Sequence, residues 1–399
     1  MIKASMSSGK VTLFPQELQS GITYRIPALL YIPTDTFLAF AEKRRSTRDE
    51  DAECLVLRRG QKNGASVEWG PMESLTSAVL PGHRTMNPCP VYERKSKTIF
   101  LFFVCVRQDV TERWQILTGQ NAARLCYVHS RDAGQTWSSL TDLTEPVIGE
   151  DLKDWATFAV GPGHGVQLSS GQLVIPAYVY RVTVRCCGLP LPFSTRPHSL
   201  IFYSDDAGRH WHKGELIQGM KTLECEVAEV ARQNGDNVLY CSARTPCCCR
   251  AVALSTDGGL TFERSSPCEQ LCEQPPLGCQ GSVVSFTPTP GRLEVGALSW
   301  LLYSHPTGKC KRVDLGIYLT TSPLQEGEWE APWVLYKGPS GYSDLAVCQG
   351  PPLLFGCLFE CGVAHPCEEI AFQLFTEEEL RDGSGCPGAR SGSPKLTCI

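Results

Sequence analysis

Three copies of one short pattern constrain this chain more than any other feature. Ser130-Arg131-Asp132-Ala133-Gly134-Gln135-Thr136-Trp137 recurs as Ser204-Asp205-Asp206-Ala207-Gly208-Arg209-His210-Trp211, and again as Ser255-Thr256-Asp257-Gly258-Gly259-Leu260-Thr261-Phe262. The frame is a self-contained turn. Its aspartate accepts backbone N–H bonds, its glycine takes the φ > 0 position, and its aromatic residue folds back as an apolar plug. Each copy follows one β-type run and precedes another. Repetition of such a unit with strands between predicts repeated sheets around an axis. Short runs rich in Val, Ile, Leu, Phe and Tyr, such as 28–32, 98–106, 173–180, 199–204 and 353–359, are separated by Gly, Pro, Asp and Ser clusters. The expected class is therefore all-β, a β-propeller, and 399 residues suit six blades.

Composition narrows the role. The chain is 42% hydrophobic and 20% charged, with net charge -5, as in an ordinary globular protein able to bury a core. That balance argues against nucleic acid as a partner. Residues 1–9 carry no apolar signal-like run, and the longest apolar run, 99–106, is far short of the roughly 20 residues a spanning helix needs. Synthesis in the cytosol without a membrane span is expected, and a peripheral membrane contact stays open. The 21 cysteines are expected to be free thiols. Their spacings, including Cys186-Cys187 and Cys247-Cys248-Cys249, lack paired metal-site geometry, so no metal and no cofactor is predicted.

One domain, residues 1–382, is expected, with 1–9 flexible and 383–399 a disordered tail rich in Gly, Ser and Pro. A short helix is expected over 376–381, and 185–196 reads as a loop protruding from a blade.

Thr23-Tyr24-Arg25-Ile26-Pro27 sets an arginine at the start of a strand, as a positioned anion clamp would require. Tyr-Arg-Ile-Pro followed by several of these Asp-box turns resembles the vertebrate exo-α-sialidases over nearly the whole chain. The segments 82–88, 161–164, 278–282 and 341–345 carry the same likeness. Wording at 37–44, 48–52, 121–125, 196–199 and 358–362 is most similar to the plasma-membrane ganglioside branch.

The resemblance implies a six-bladed propeller that hydrolyses terminal sialic acid with retention. It assigns the sugar carboxylate to Arg25, Arg244 and Arg312, with Arg44 as a further contact, and guanidinium groups suit a planar anion. It makes Tyr342 the nucleophile, a neutral phenol that the substrate carboxylate does not repel, with Glu224 as its base. Glu226 shares the Glu224 face by period-two alternation, so that neighbouring assignment stays open. Asp49, in a charged loop, matches the general acid, and an acid that must start protonated predicts activity rising toward mildly acidic pH. Met86, Asn87, Glu112, Tyr178, Tyr180 and Gln280 are assigned to substrate positioning, and His164 is read as a turn residue of the fold.

The third Asp-box departs from the pattern by ending in Phe262, but none of the three arginines, Tyr342, Glu224 or Asp49 is replaced. The implied substrate is a sialylated glycolipid, a ganglioside above all, or a glycoprotein. The implied place is the periphery of the plasma membrane and endosomes. The alternatives are a cytosolic enzyme for soluble glycans and a non-catalytic sialic-acid-binding propeller.

Overall fold

The computed structural model describes residues 1–5, 9–232, 235–289, 298–325, 327–348, 350 and 352–384. Antiparallel sheets follow one another along the chain. Blade 1 starts with Thr23–Ile32, blade 2 with His83–Glu93, blade 3 with Trp155–Val160 and blade 4 with Cys225–Val230. The next sheet has seven strands and resolves into two blades. Its longest strand, Trp333–Cys348, pairs through 333–339 with Val313–Thr320 of blade 5, and through 340–348 with Leu354–Cys361 of blade 6. Six blades result.

The ring closes by pairing an early strand with a late one. Val11–Pro15 lies against Glu369–Thr376 as the outermost strand of blade 6. The six inner strands are packed side by side around the axis. Apolar side chains from each blade interleave with those of the next; one such cluster joins Leu38, Phe40 and Leu57 of blade 1 to Leu101, Phe103 and Val128 of blade 2.

The Asp-boxes lie between the third and fourth strands of blades 2, 3 and 4. In the second, Asp206 Oδ1 accepts the His210 N–H at 2.9 Å, and Ser204 Oγ accepts the Gly208 N–H at 2.9 Å. Gly208 has φ +84°, and a Cβ there would lie 2.2 Å from the Phe100 ring. The plug leaves its own blade: Trp211 meets Phe102 of blade 2 edge-on at 4.5 Å, and Trp137 of blade 2 meets Phe40 of blade 1 at 6.0 Å. Each turn thus bolts one blade to the preceding one. Phe262 keeps this function, packed with Ile201 and Leu239 across blades 3 and 4.

Three expectations need correction. Residues 1–9 include a strand, Ile2–Ser5, paired with Ser66–Trp69 at the edge of blade 1, because Ala4 buries its methyl group there. The terminal helix runs Glu377–Ser384, so the first two residues of the expected tail are helical, and 385–399 lie outside the described residues. The protruding segment after blade 3's second strand is a hairpin, with Arg185–Cys186 paired to Leu189–Pro190.

Candidate active site

The axis carries a cavity of about 330 Å³ on one face. Backbone bulges aim side chains into it. Ile26, Asn87 and Asp314 have φ of 60°, 58° and 59°, each within a break in strand register. For β-branched Ile26 this is a strained conformation. Glu360 holds it, accepting the Ile26 N–H at 2.9 Å and the Arg25 Nε–H at 2.6 Å through the same oxygen. The bulge turns Arg25 away from the sheet and into the cavity.

Three guanidinium groups surround one phenol. Arg25 and Arg312 lie 5.6 and 5.7 Å from the Tyr342 ring centre, and Arg244 Nη1 donates to Tyr342 Oη at 2.9 Å. Tyr342 Oη in turn donates to Glu224 Oε1 at 2.7 Å, while Glu224 Oε2 accepts Arg244 Nη1 at 2.5 Å. Burial first, then the negative Glu224, hold the phenol well above its ordinary pKa of 10.0, outweighing the arginines. Tyr342 is therefore neutral at rest and has a base in contact with its proton.

Asp49 opens a short 3₁₀ turn, Asp49–Asp51, at the cavity rim. Its side chain is half-open to solvent, and its carboxylate accepts Arg44 Nη1 at 2.5 Å. Burial pushes its pKa up, but Arg44 and Arg25 together more than cancel that and hold it below 3.8. The expected general acid is thus an ion pair in the empty site. Arg44 is fully buried and also bonds Glu42 at 2.6 Å, so its position is fixed from behind.

Glu112 begins a helix, Glu112–Thr118, that forms one wall and was not anticipated. Its ends were readable: Thr111 caps the Trp114 N–H, and Gly119 closes the helix at φ 69°. Glu112 accepts the Tyr178 hydroxyl at 3.2 Å. Burial first, and then the negative Asp49 and Glu224, raise it to about 7. Tyr178 and Tyr180 meet edge to face at 6.3 Å, and Met86 and Asn87 also line the cavity. Gln280 is the one assigned residue that does not reach the cavity. It is buried beneath the floor, donating to the Ser343 carbonyl and accepting the Ser343 N–H, both at 3.0 Å, so it orients the peptide beside Tyr342.

Glu226 also lies below the floor. With His164 and Asp344 it forms a cluster whose polar atoms fall within 4.8 Å, the one such grouping of potential metal ligands among the described residues. Its atoms are engaged internally: His164 Nδ1 lies 2.7 Å from Asp344 Oδ1, Leu29 N donates to Asp344 Oδ2 at 2.6 Å, and Val283 N donates to Glu226 Oε2 at 3.0 Å. His164 is more than a turn residue, since it ties three blades together.

Supporting residues were missed as well. Glu360 stands in an otherwise apolar strand, and a buried carboxylate in such a run signals a cation partner; Glu42 is followed by Lys43 and Arg44 in its own strand. A loop, 273–279, holds two clamp arginines through its carbonyls: Leu277 O accepts Arg244 Nε at 2.7 Å, and Gly278 O accepts Arg312 Nη2 at 2.7 Å. Buried Glu273 anchors that loop, bonding Arg250 at 2.8 Å and the Cys279 N–H at 2.8 Å.

A guanidinium-lined funnel above a base-linked phenol, with a carboxyl group on its rim, defines a propeller glycosidase for an anionic sugar. Residues 35–355 match the BNR repeat-like domain family model. Human Sialidase-3 is 59% identical, the match covering 92% of each chain, and human Sialidase-4 is 41% identical over 93% of each. The solved Hadza microbial sialidase Hz136 superposes with a TM-score of 0.75 at 24% identity, over 93% of this chain and 69% of that one. The chain belongs to the sialidase family and is an exo-α-sialidase, a glycoside hydrolase.

Proposed function

We propose that the chain releases terminal sialic acid from gangliosides at a membrane surface, with retention, through a covalent tyrosyl intermediate. Arg25, Arg244 and Arg312 take the substrate carboxylate, and its arrival offsets the positive field that keeps Asp49 ionised. Asp49 then acquires a proton and passes it to the glycosidic oxygen as that C–O bond breaks. Tyr342 Oη bonds to the anomeric carbon and gives its proton to Glu224, and the asialo alcohol leaves. Asp49 next deprotonates a water that attacks the same carbon, and Tyr342 departs and regains its proton from Glu224. Two inversions give net retention. Glu112, Tyr178, Tyr180, Met86 and Asn87 form the wall for the remainder of the sugar.

The observation that carries this reading is the 2.7 Å contact of Tyr342 with Glu224, with Arg244 on both partners. A module that only binds sialic acid needs the clamp but no base on a phenol. The similarity to Sialidase-3 chains supports the ganglioside and peripheral-membrane parts of the proposal. No helix among the described residues is long and apolar enough to cross a membrane. The test is hydrolysis of a fluorogenic sialoside by wild type beside Tyr342→Phe, with binding of a sialic acid analogue measured on both. A loss of about a thousandfold in kcat with binding retained supports the nucleophile. Wild-type turnover by the variant refutes it. Ganglioside in detergent, compared with sialyllactose, separates the lipid substrate class from the soluble one.

A further inference from the structure

The hairpin after blade 3's second strand has an unusual surface. Leu189 is 72% and Phe193 79% exposed, with Val184, Leu191 and Trp114 of the neighbouring helix also open. Scattered exposed apolar residues are ordinary, whereas several large ones on a projection are a contact surface. The location is specific. The strand Leu173–Val182, which carries Tyr178 and Tyr180 of the cavity wall, runs directly into the hairpin. At its root, Phe193 N–H donates to the Leu117 carbonyl of the helix that begins with Glu112, and Pro190 packs on Gly119, where a Cβ would come within 2.5 Å. The apolar tip therefore stands beside the cavity mouth.

The hairpin's chemistry selects among partners. Its backbone groups are bonded internally: Thr183 N–H to Ser194 O at 2.7 Å, Leu191 N–H to Val184 O at 3.1 Å, and Ser194 Oγ to Leu191 O at 2.6 Å. Pro190 and Pro192 remove two further donors. Strand addition by another chain finds no ladder to extend. Side chains that project apolar carbon with satisfied backbone suit a fluid apolar phase. Arg185 fixes the base to the body through Asp154, at 3.0 Å, and the Lys153 carbonyl. Exposed Arg113, on the neighbouring helix, and Arg181, on the strand that leads into the hairpin, add positive charge for anionic headgroups to meet.

We infer that residues 183–194 insert into the lipid surface and turn the cavity mouth toward the bilayer. For its substrate this rests on the ganglioside reading, since a lipid-anchored sugar lies in that headgroup layer. Leu189, Leu191 and Phe193 enter the acyl boundary while Arg185 stays with the headgroups.

The test compares wild type with the Leu189→Asp/Phe193→Asp double variant in flotation with phosphatidylcholine vesicles, with and without phosphatidylserine. Cys186 and Cys187 are kept in both proteins, so that any acyl chain contributes equally. The expected outcome is a fall of about tenfold or more in vesicle partition for the double variant. Its kcat/KM on a soluble fluorogenic sialoside stays at the wild-type value, which also verifies folding, and its rate on vesicle-embedded ganglioside drops in step with partition. Equal flotation of the two proteins overturns the inference, as does a wild type that binds no vesicle. So does binding that follows phosphatidylserine alone and ignores the hairpin. A monomer-to-dimer difference between the two proteins overturns it in favour of a protein contact. Failure of wild type on the soluble sialoside would instead sink the enzymatic proposal and leave flotation to judge the hairpin separately.

Discussion

Two carboxylates two residues apart, Glu224 and Glu226, are handled in opposite ways, one in a layer above the cavity floor and one in a layer below it. Above the floor, Glu224 faces the cavity with Arg244 at 2.5 Å and Tyr342 at 2.7 Å. Below it, Glu226 and Asp344 face the axis with His164, Ser282, the Gln280 amide and backbone N–H groups as partners and, among the described residues, no arginine. Burial first, and then the neighbouring Asp344, hold the Glu226 carboxyl well above its ordinary range. Negative charge is thus kept in the upper layer by guanidinium partners, where chemistry uses it. In the lower layer it is reduced by a retained proton, and the groups act as hydrogen-bonding struts. Gly163 marks how tightly they are set, because a Cβ there would fall 1.7 Å from Glu226 Oε1.

The sharpest way to break the contrast is to make the same substitution in both layers. Glu224→Gln removes the base from Tyr342, and kcat on a soluble sialoside should fall by about 10²–10⁴. Glu226→Gln keeps the volume and the bond from Val283 N, gives up the longer one from Gln280, and should stay within about threefold of wild type, as expected of a group that does not touch the reacting atoms. Equal losses in the two variants would mean that the lower layer takes part in proton transfer and that the division is wrong.

A smaller effect concerns Asp49. In the empty site Arg44 and Arg25 override burial and keep its pKa low, while a bound carboxylate neutralises part of their field. The pH profile of kcat/KM reports the free enzyme, and that of kcat the complex. Both should rise toward acid, with the descending limb of kcat at higher pH than that of kcat/KM. Glu112, which stands at about 7, could produce a limb of its own. Glu112→Gln should leave the Asp49 limb in place. A profile flat from pH 4 to 8, or one that moves wholly with Glu112, would remove Asp49 from the acid's role.

The difference between the layers also explains what could be read from the sequence. Asp-box turns are local, so three copies announced the blades before any contact was known. Arg25, Arg244, Arg312, Tyr342, Glu224 and Asp49 sit in short motifs, and all of them line the cavity. Glu226 and Glu224 share a strand face, and alternation could not say which met the phenol. Gln280 shows a related limit: its motif is at the site, while its side chain is buried and bonded to the Ser343 peptide. Glu360 reaches Arg25 only through closure of the ring, whereas Glu42 meets Arg44 two residues along its own strand and Glu273 meets Arg250 23 residues away. The Arg25 to Glu360 contact spans 335 residues of sequence, and no local pattern encodes such a separation. A lone acid in an apolar strand was the one signal available.

The subtlest expected effect lies in stability. A carboxyl group whose folded pKa is raised above the unfolded 4.5 favours the folded state fully below pH 4.5, and that advantage is lost as pH rises through the folded value. Glu226→Gln carries no such titration. Thermal midpoints of wild type and variant should therefore lie close together at acidic pH and separate as pH increases, with the variant the more stable. The separation should be small, about 2 °C for each kcal/mol at most in a domain of this size. His164, Asp344 and the Cys89 thiol are the other titratable groups facing Glu226, and the substitution leaves them in place. If instead the variant loses stability relative to wild type above neutral pH, Glu226 is ionised there and paired with a protonated His164. The axis would then be held by charge, as the cavity is, and the two layers would share a single design.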